Sequence, residues 1–206
     1  MKTTKLLICA VAVSAAFAAV NAQAQNLSAT LVEITPGLAV TGTLDNGSYT
    51  PTNPAGVLHF TQFDAFCVEP LQDLSYGQTL VYQIQDPVSL GNSEIISRLV
   101  GGYLSSSRTN ADAAAVQWAI WETTNETLLA PSLLTGNVRI STPVSESTAT
   151  LANQYLANIN NFAPVTLTYL TSSTHQDVVT WNAVPEPASA GLAALSALIL
   201  LRRRRY

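Results

Sequence analysis

Between residues 26 and 85, apolar and polar positions alternate in short segments separated by turn residues. Thr, Val and Leu are frequent in these segments, and Gly, Pro and Asn stand between them. Alternation with a period of two predicts half-buried strands, and the turn residues mark where each strand ends. The predicted strands cover 27–34, 38–44, 57–68 and 79–85.

From residue 93 the apolar spacing becomes helical. Ile95, Ile96, Leu99 and Val100 share one face, and Gly101-Gly102 is expected to end this helix. A second helix is predicted to begin at Thr109 with a capping box to Asp112 and to continue to Glu122. A third is predicted over 145–159, and strands return at 165–170 and 178–181. The order predicts one α+β domain over 25–183: a β-rich domain with a central helical segment.

The two ends of the chain are typical of targeting segments. Lys2 and Lys5 precede an apolar run over 6–20, which is followed by Ala22 and Ala24 in an A-x-A pattern. This order predicts a signal peptide over 1–24, cleaved after Ala24. A signal anchor that stays uncleaved is the alternative. Cleavage would remove Cys9 and leave one cysteine, Cys67.

The other end, 184–206, combines three features in a fixed order. A Pro-Glu-Pro motif precedes an apolar segment over 188–201, predicted as a single hydrophobic helix, and an arginine cluster follows it. The motif residues are Pro185, Glu186 and Pro187, and the cluster is Arg202, Arg203, Arg204 and Arg205. This order resembles the PEP-CTERM sorting signal of Gram-negative bacteria. The resemblance implies transient insertion in the inner membrane, cleavage by an exosortase, and delivery to the cell surface or extracellular matrix. A permanent C-terminal anchor is the alternative.

Charge excludes some functions of the segment between these ends. Residues 25–184 contain three arginines, no lysine and twelve acidic residues, a net charge of −9. Such a surface repels phosphate backbones, so nucleic-acid binding is excluded. The chain has no Cys-x-x-Cys motif and no histidine cluster, so we expect no metal site and no cofactor.

Two residues are unusual for a structural domain of an exported protein. An unpaired thiol at Cys67 risks oxidation, and Gln117 lies among apolar residues on its helix. A buried carboxamide needs hydrogen-bond partners, so Gln117 either bonds a strand backbone or has reacted. Condensation of Gln117 with Cys67 would expel ammonia and leave an internal thioester. An apolar pocket would slow its hydrolysis.

The residues around this pair resemble the thioester domains of bacterial surface adhesins. Those domains carry an aromatic-Cys-aliphatic motif on a strand and a Gln-x-Ala-Ile-Trp motif on a helix. The matching neighbours here are Phe66, Val68, Ala119, Ile120 and Trp121. The resemblance implies that Cys67 and Gln117 form the thioester and acylate an amine- or hydroxyl-bearing partner once. We therefore predict a covalent binder with no catalytic residues, not a turnover enzyme.

Three other functions fit the same pattern. The main alternative is a structural matrix protein of this fold in which Cys67 and Gln117 only pack. A cysteine hydrolase would pair Cys67 with His59 or His175, although no local hydrolase signature is present. A glycan binder would stack Trp118 and Trp121 on sugar rings. The final anchor and the oligomeric state stay open.

Overall fold

The computed structural model describes residues 26–38, 42–43, 55–126, 132–140 and 146–182. The strands in these segments are β1 (Asn26–Leu38), β2 (Gly42–Thr43), β3 (Ala55–Phe60), β4 (Asp64–Cys67), β5 (Thr79–Gln85), β6 (Arg139–Ile140), β7 (Thr168–Thr171) and β8 (Val178–Thr180). The α-helices described are α1 (Ser93–Ser105), α2 (Asn110–Asn125) and α3 (Glu146–Ala157). Strands therefore flank a central helical part, and the domain is α+β.

Six of these strands close into an antiparallel barrel, in the order β1, β3, β4, β8, β7, β5. The barrel closes through β1, because its residues 26–30 pair with β5 and its residues 31–38 pair with β3. The pairing of β1 with β3 shifts register after Leu31 and after Thr35. Such shifts are typical of bulges, at which a strand bends. β2 and β6 pair with each other in a separate two-stranded sheet.

Helix α2 is buried over most of its circumference. Every residue from 113 to 123 is buried, which is typical of a helix surrounded by protein. Its first turn is held by the predicted capping box, because the Thr109 side chain accepts from Asp112 N–H and the Asp112 carboxylate accepts from Thr109 N–H. α2 contacts β1, β3, β4 and both other helices, so it connects the barrel to the helical part.

The predictions placed most elements but misplaced some boundaries. Segment 57–68, predicted as one strand, is a hairpin of β3 and β4 that turns at 61–63. α1 does not end at Gly101-Gly102 but continues to Ser105. These glycines serve close packing instead, because a Cβ on Gly101 would meet the Ala163 carbonyl and one on Gly102 would meet the Phe162 ring.

Several predicted segments lie outside the described residues. These are the signal peptide over 1–24, most of the strand predicted over 38–44, and the sorting signal over 184–206. Ala22, Ala24, the Pro-Glu-Pro motif and the arginine cluster belong to these segments. In the part of the chain that the structure describes, no helix combines the length and apolarity that a membrane crossing requires.

Candidate functional site

Cys67 is the last residue of β4, and the strand register directs its side chain into the barrel. Directly paired residues of an antiparallel sheet carry their side chains on the same face. Cys67 pairs with Val178, which pairs with the fully buried Leu170 of β7. Only 2% of Cys67 is exposed, and it forms no disulfide among the described residues. The thiol therefore lies in the core of the barrel.

Two hydrogen bonds join the Gln117 carboxamide to the main chain of Cys67. The Cys67 N–H donates to Oε1 of Gln117 at 3.0 Å, and Nε2 of Gln117 donates to the Cys67 carbonyl at 2.7 Å. The pairing of β3 with β4 stops at Leu58 and Ala65, so the carboxamide takes the place of a strand partner beside Cys67. This geometry places Gln117 Cδ about 4 Å from the Cys67 main chain.

The Cys67 thiol is neutral in this environment. Burial raises its pKa to about 12 because the thiolate would lose its hydration. Hydrogen bonds from the Trp121 side chain and from the Glu69 backbone favour the thiolate and oppose this rise without cancelling it. In the neutral form, Sγ donates to the Glu69 carbonyl at 3.3 Å. Glu69 and Asp177 add negative charge nearby and raise the pKa further. A resident thiolate nucleophile is therefore disfavoured at neutral pH.

The predicted neighbours of Cys67 and Gln117 lie at the end of strand β4 and on helix α2. Phe66 points away from the barrel interior and packs edge-on against Tyr103, with ring centroids 5.3 Å apart. Val68 continues the sheet through its N–H, which donates to the Asp177 carbonyl at 2.9 Å. Ala119 and Ile120 are fully buried in α2. These residues shape and seal the surroundings of Cys67, and none of the four carries a polar side chain.

The two histidines have partners other than Cys67. His59 Nδ1 bonds the Asp64 carboxylate at 2.6 Å, and His175 bonds Gln78 and Thr174 at the surface. The sulfur bonds the Glu69 carbonyl instead. This geometry provides no base for a Cys–His pair.

Both tryptophans of α2 are core residues. Trp118 is fully buried, and its ring meets that of Trp121 edge-on at 5.1 Å between centroids. Trp118 also lies against Gly42 of β2, where a Cβ would meet its ring. Neither ring offers a surface on which a sugar could stack.

Four buried polar atoms lack a hydrogen-bond partner in the described part of the chain. They are Oη of Tyr82, Nε1 of Trp118, Nε1 of Trp121 and Oε2 of Glu122. The sequence pattern did not single out Tyr82 or Glu122. The alternation of β5 indicates that Tyr82 is buried, but an unpartnered hydroxyl is visible only in three dimensions. Such groups are costly, so each is a candidate for a function.

A polar groove of about 600 Å³ lies beside the start of β8. Its walls come from β5 and from the segment between β7 and β8, and they include Gln78, His175 and Asp177. Asp177 also adjoins Cys67 through the main-chain bond to Val68. One wall residue of the groove, Asp177, therefore lies near Cys67, and its negative charge raises the pKa of the thiol.

Comparison with known proteins adds no relative, because no family model, curated protein or solved structure matches this chain.

Proposed function

We propose that this is an exported, exosortase-sorted surface or matrix protein whose Cys67 and Gln117 form an internal thioester. The thioester would attach the protein covalently to a nucleophilic partner. The observation that carries the proposal is the Gln117 carboxamide hydrogen-bonded to the main chain of Cys67 inside a sealed core. The motifs around both residues, which resemble those of adhesin thioester domains, support it.

The hydrogen bonds of the site suit formation of the bond. Sγ of Cys67 attacks Cδ of Gln117, the C–S bond forms, and the C–N bond breaks. Ammonia leaves with the proton that the thiol gives up. The Cys67 N–H already donates to Oε1, where negative charge develops as the carbonyl carbon becomes tetrahedral. The reaction needs no external cofactor, because the chain supplies both functional groups.

Burial of Cys67 and Gln117 would protect the thioester from hydrolysis, and the thioester would react only once. Cys67 and Gln117 are 2% and 1% exposed, so water has little access to the acyl carbon. A deprotonated amine or a hydroxyl group that reaches Cδ takes the acyl group, and Cys67 returns as a thiol. The reformed carboxamide or ester is not replaced by a new thioester under ordinary conditions. The protein thus acts as a covalent binder.

The ends of the chain supply the proposed route to the surface. Signal peptidase would remove 1–24, the apolar segment 188–201 would hold the precursor in the inner membrane, and exosortase would cut near Pro185-Glu186-Pro187. The absence of lysine from residues 25–184 is compatible with a thioester, because copies of the protein offer no lysine amine to one another's thioester. The partner would then be an amine- or hydroxyl-bearing surface component or polysaccharide.

A structural role without chemistry is the second candidate, and a specific observation favours it. The Gln117 carboxamide uses its oxygen and one N–H to complete the β4 ladder. These bonds alone explain a buried glutamine at this position. In this account the protein is a surface or matrix component whose Cys67 stays a thiol.

Methylamine distinguishes these two functions. With a thioester, methylamine adds to Gln117 and one thiol per chain becomes detectable after denaturation, because the amine takes the acyl group. Peptide mapping should place the methyl amide at Gln117. Cys67→Ala and Gln117→Ala are the controls, and neither should incorporate methylamine. A wild-type protein that shows one thiol before treatment and no methylamine on Gln117 supports the structural role.

A further inference from the structure

The strand register places Tyr82 on the same side of the sheet as Cys67. In β5, Tyr82 is buried between the exposed Val81 and Gln83, so its ring points into the barrel. Ile84 shares that face and pairs with Leu170, which is linked through Val178 to Cys67. Tyr82 and Cys67 therefore both project into the barrel interior, and the negative charge of a Cys67 thiolate acts on the Tyr82 hydroxyl.

Trp121 approaches the same sulfur from the helix. It follows Gln117 by four residues on α2, so the two side chains lie on one helical face. The carboxamide of Gln117 bonds the end of β4, and the indole of Trp121 is close enough to Cys67 to favour its thiolate. The Tyr82 hydroxyl from β5 and the Trp121 indole from α2 therefore both face the part of the core that holds Cys67.

Among the described residues, neither donor has a carbonyl, carboxylate or amide partner, and Trp121 instead lies near Cys67 Sγ, where it lowers the pKa of the thiol. The Tyr82 hydroxyl and the Trp121 Nε1 are buried from solvent and have no hydrogen-bond partner in the described part. Two unpartnered donors beside one reactive group are not explained by packing, since Phe at either position would avoid the cost. They are available to a group that gains negative charge during a reaction.

We propose that Tyr82 and Trp121 are the hydrogen-bond donors that stabilise the Cys67 sulfur as leaving group when the thioester is opened. This rests on the thioester of the proposed function. The amine nitrogen attacks Gln117 Cδ, the C–S bond breaks, and its electron pair goes to Sγ. The proton lost by the amine nitrogen ends on Sγ, so amine and thioester give an amide and a thiol.

The chemistry of the core explains why such donors are needed. A thiolate is strongly disfavoured at this position, as the raised pKa of Cys67 shows. Expulsion of an unassisted thiolate into the core would therefore be slow. Two donors held in place by β5 and α2 share the developing charge and require no rearrangement at the moment of reaction.

Phe substitutions in the exported full-length protein test this proposal. The rate of methylamine incorporation at Gln117 is measured by intact mass after the starting thioester content has been determined for each variant. Tyr82→Phe and Trp121→Phe should each slow incorporation by about 10- to 100-fold. Trp118→Phe is the matched control, because its indole N–H is also buried and unpartnered but its ring packs against Gly42. Its rate should stay within about threefold of wild type.

A second readout separates chemistry from folding. Tyr82→Phe removes an unpartnered buried hydroxyl, so its melting temperature should equal or exceed that of wild type. A lower melting temperature, or failure to fold, contradicts the assignment of Tyr82 as an unused donor. Intact thioester with wild-type rates in both Tyr82→Phe and Trp121→Phe overturns this inference alone. Wild-type protein that carries no thioester overturns the proposed function together with it.

Discussion

At the scale of single residues, Gln117 shows how one side chain can take the place of a strand partner. Its carboxamide completes the hydrogen bonding of β4 where β3 has ended. The same two bonds hold Cδ beside the main chain of Cys67, the residue with which Gln117 would react in the proposed thioester.

Replacement of Gln117 should destabilise the fold independently of any covalent bond. Gln117→Ala leaves the Cys67 N–H and carbonyl buried without partners, which predicts a loss of about 2–5 kcal/mol in the free energy of unfolding. The reference is Cys67→Ala, which also lacks a thioester but keeps the main-chain groups and the carboxamide. Urea denaturation of both variants gives the difference.

The exposed Gln154 of α3 provides a matched control for the loss of a glutamine side chain. Gln154→Ala should change the free energy of unfolding by no more than about 0.5 kcal/mol. Equal stability of Gln117→Ala and Cys67→Ala would contradict the role of Gln117 as a strand partner.

The sequence alone identified part of the candidate site. Cys67 and Gln117 stood out because each has an unusual chemical character for its local pattern. Tyr82 did not stand out, because a tyrosine on an alternating strand is ordinary and its proximity to Cys67 depends on β7 and β8. The groove beside Asp177 was missed for the same reason, since its walls come from segments far apart in the chain.

At the scale of elements, the carboxyl-terminal half of α2 and the residue that follows it hold the segment 132–140 against the domain. Oε1 of Glu122 accepts from Ser132 N–H at 2.7 Å, and Oε1 of Glu126 accepts from Val138 N–H at 3.0 Å. Glu122 is 2% exposed, and its Oε2 has no partner in the described part of the chain. Burial raises the pKa of Glu122 to about 7, and the negative charge of Glu126 adds to this.

This shift predicts a specific pH dependence of stability. Because the folded-state pKa lies above the ordinary value of 4.5, the folded chain binds this proton more tightly than the unfolded chain. The contribution of Glu122 is complete below pH 4.5 and is lost as the pH rises through about 7. Relative to Glu122→Gln, the wild type should lose about 3 kcal/mol between pH 4.5 and 8.

Denaturation of both proteins across this pH range checks the prediction. The glutamine keeps an oxygen that can accept from Ser132 N–H, so the variant should retain the helix-to-segment contact. Glu126→Gln, at the neighbouring carboxylate, should leave most of the dependence in place. A stability difference between wild type and Glu122→Gln that does not change with pH would contradict the account.

Helix α2 also shows which features of an element the sequence can predict. The capping box is local, so Thr109 and Asp112 indicated the start of the helix correctly. Asp112 has a second contact that no local pattern contains, because its Oδ1 accepts from the Tyr155 hydroxyl of α3 at 2.9 Å.

Removal of the capping hydroxyl should have a moderate effect. Thr109→Ala leaves the N–H of Asp112 without its acceptor and should cost about 1 kcal/mol in the free energy of unfolding. Thr109→Ser keeps the hydroxyl and should cost clearly less. Thermal or urea denaturation measures both, and equal losses in the two variants would argue against the cap.

At the scale of the whole molecule, the sequence predicted the α+β class and the order of elements but not the closed barrel. Closure depends on β1 pairing with β5 through one half and with β3 through the other. Alternation reveals that a segment is a strand and which face is apolar, but pairing partners far along the chain leave no local pattern. α2 contacts β1, β3 and β4, and its Gln117 bonds Cys67, so the candidate site combines elements that are far apart in the chain.

The proposed route to the surface predicts the termini of the mature protein. In its own host, the secreted or surface-exposed chain should begin near Gln25 and should lack Arg202–Arg205. Terminal peptide sequencing of surface material checks both ends. Recovery of the arginine cluster on surface protein would contradict sorting by cleavage, and residence in the cytoplasm would contradict both targeting segments.

The intact mass of the exported protein, purified fresh and without amine-containing buffers, tests the central claim most directly. With the thioester, the protein should weigh one ammonia less than the mass calculated for its own termini. Cys67→Ala and Gln117→Ala should each have the full mass calculated for their sequences. Wild-type protein at its full calculated mass, with a free thiol detectable on unfolding, would contradict the thioester.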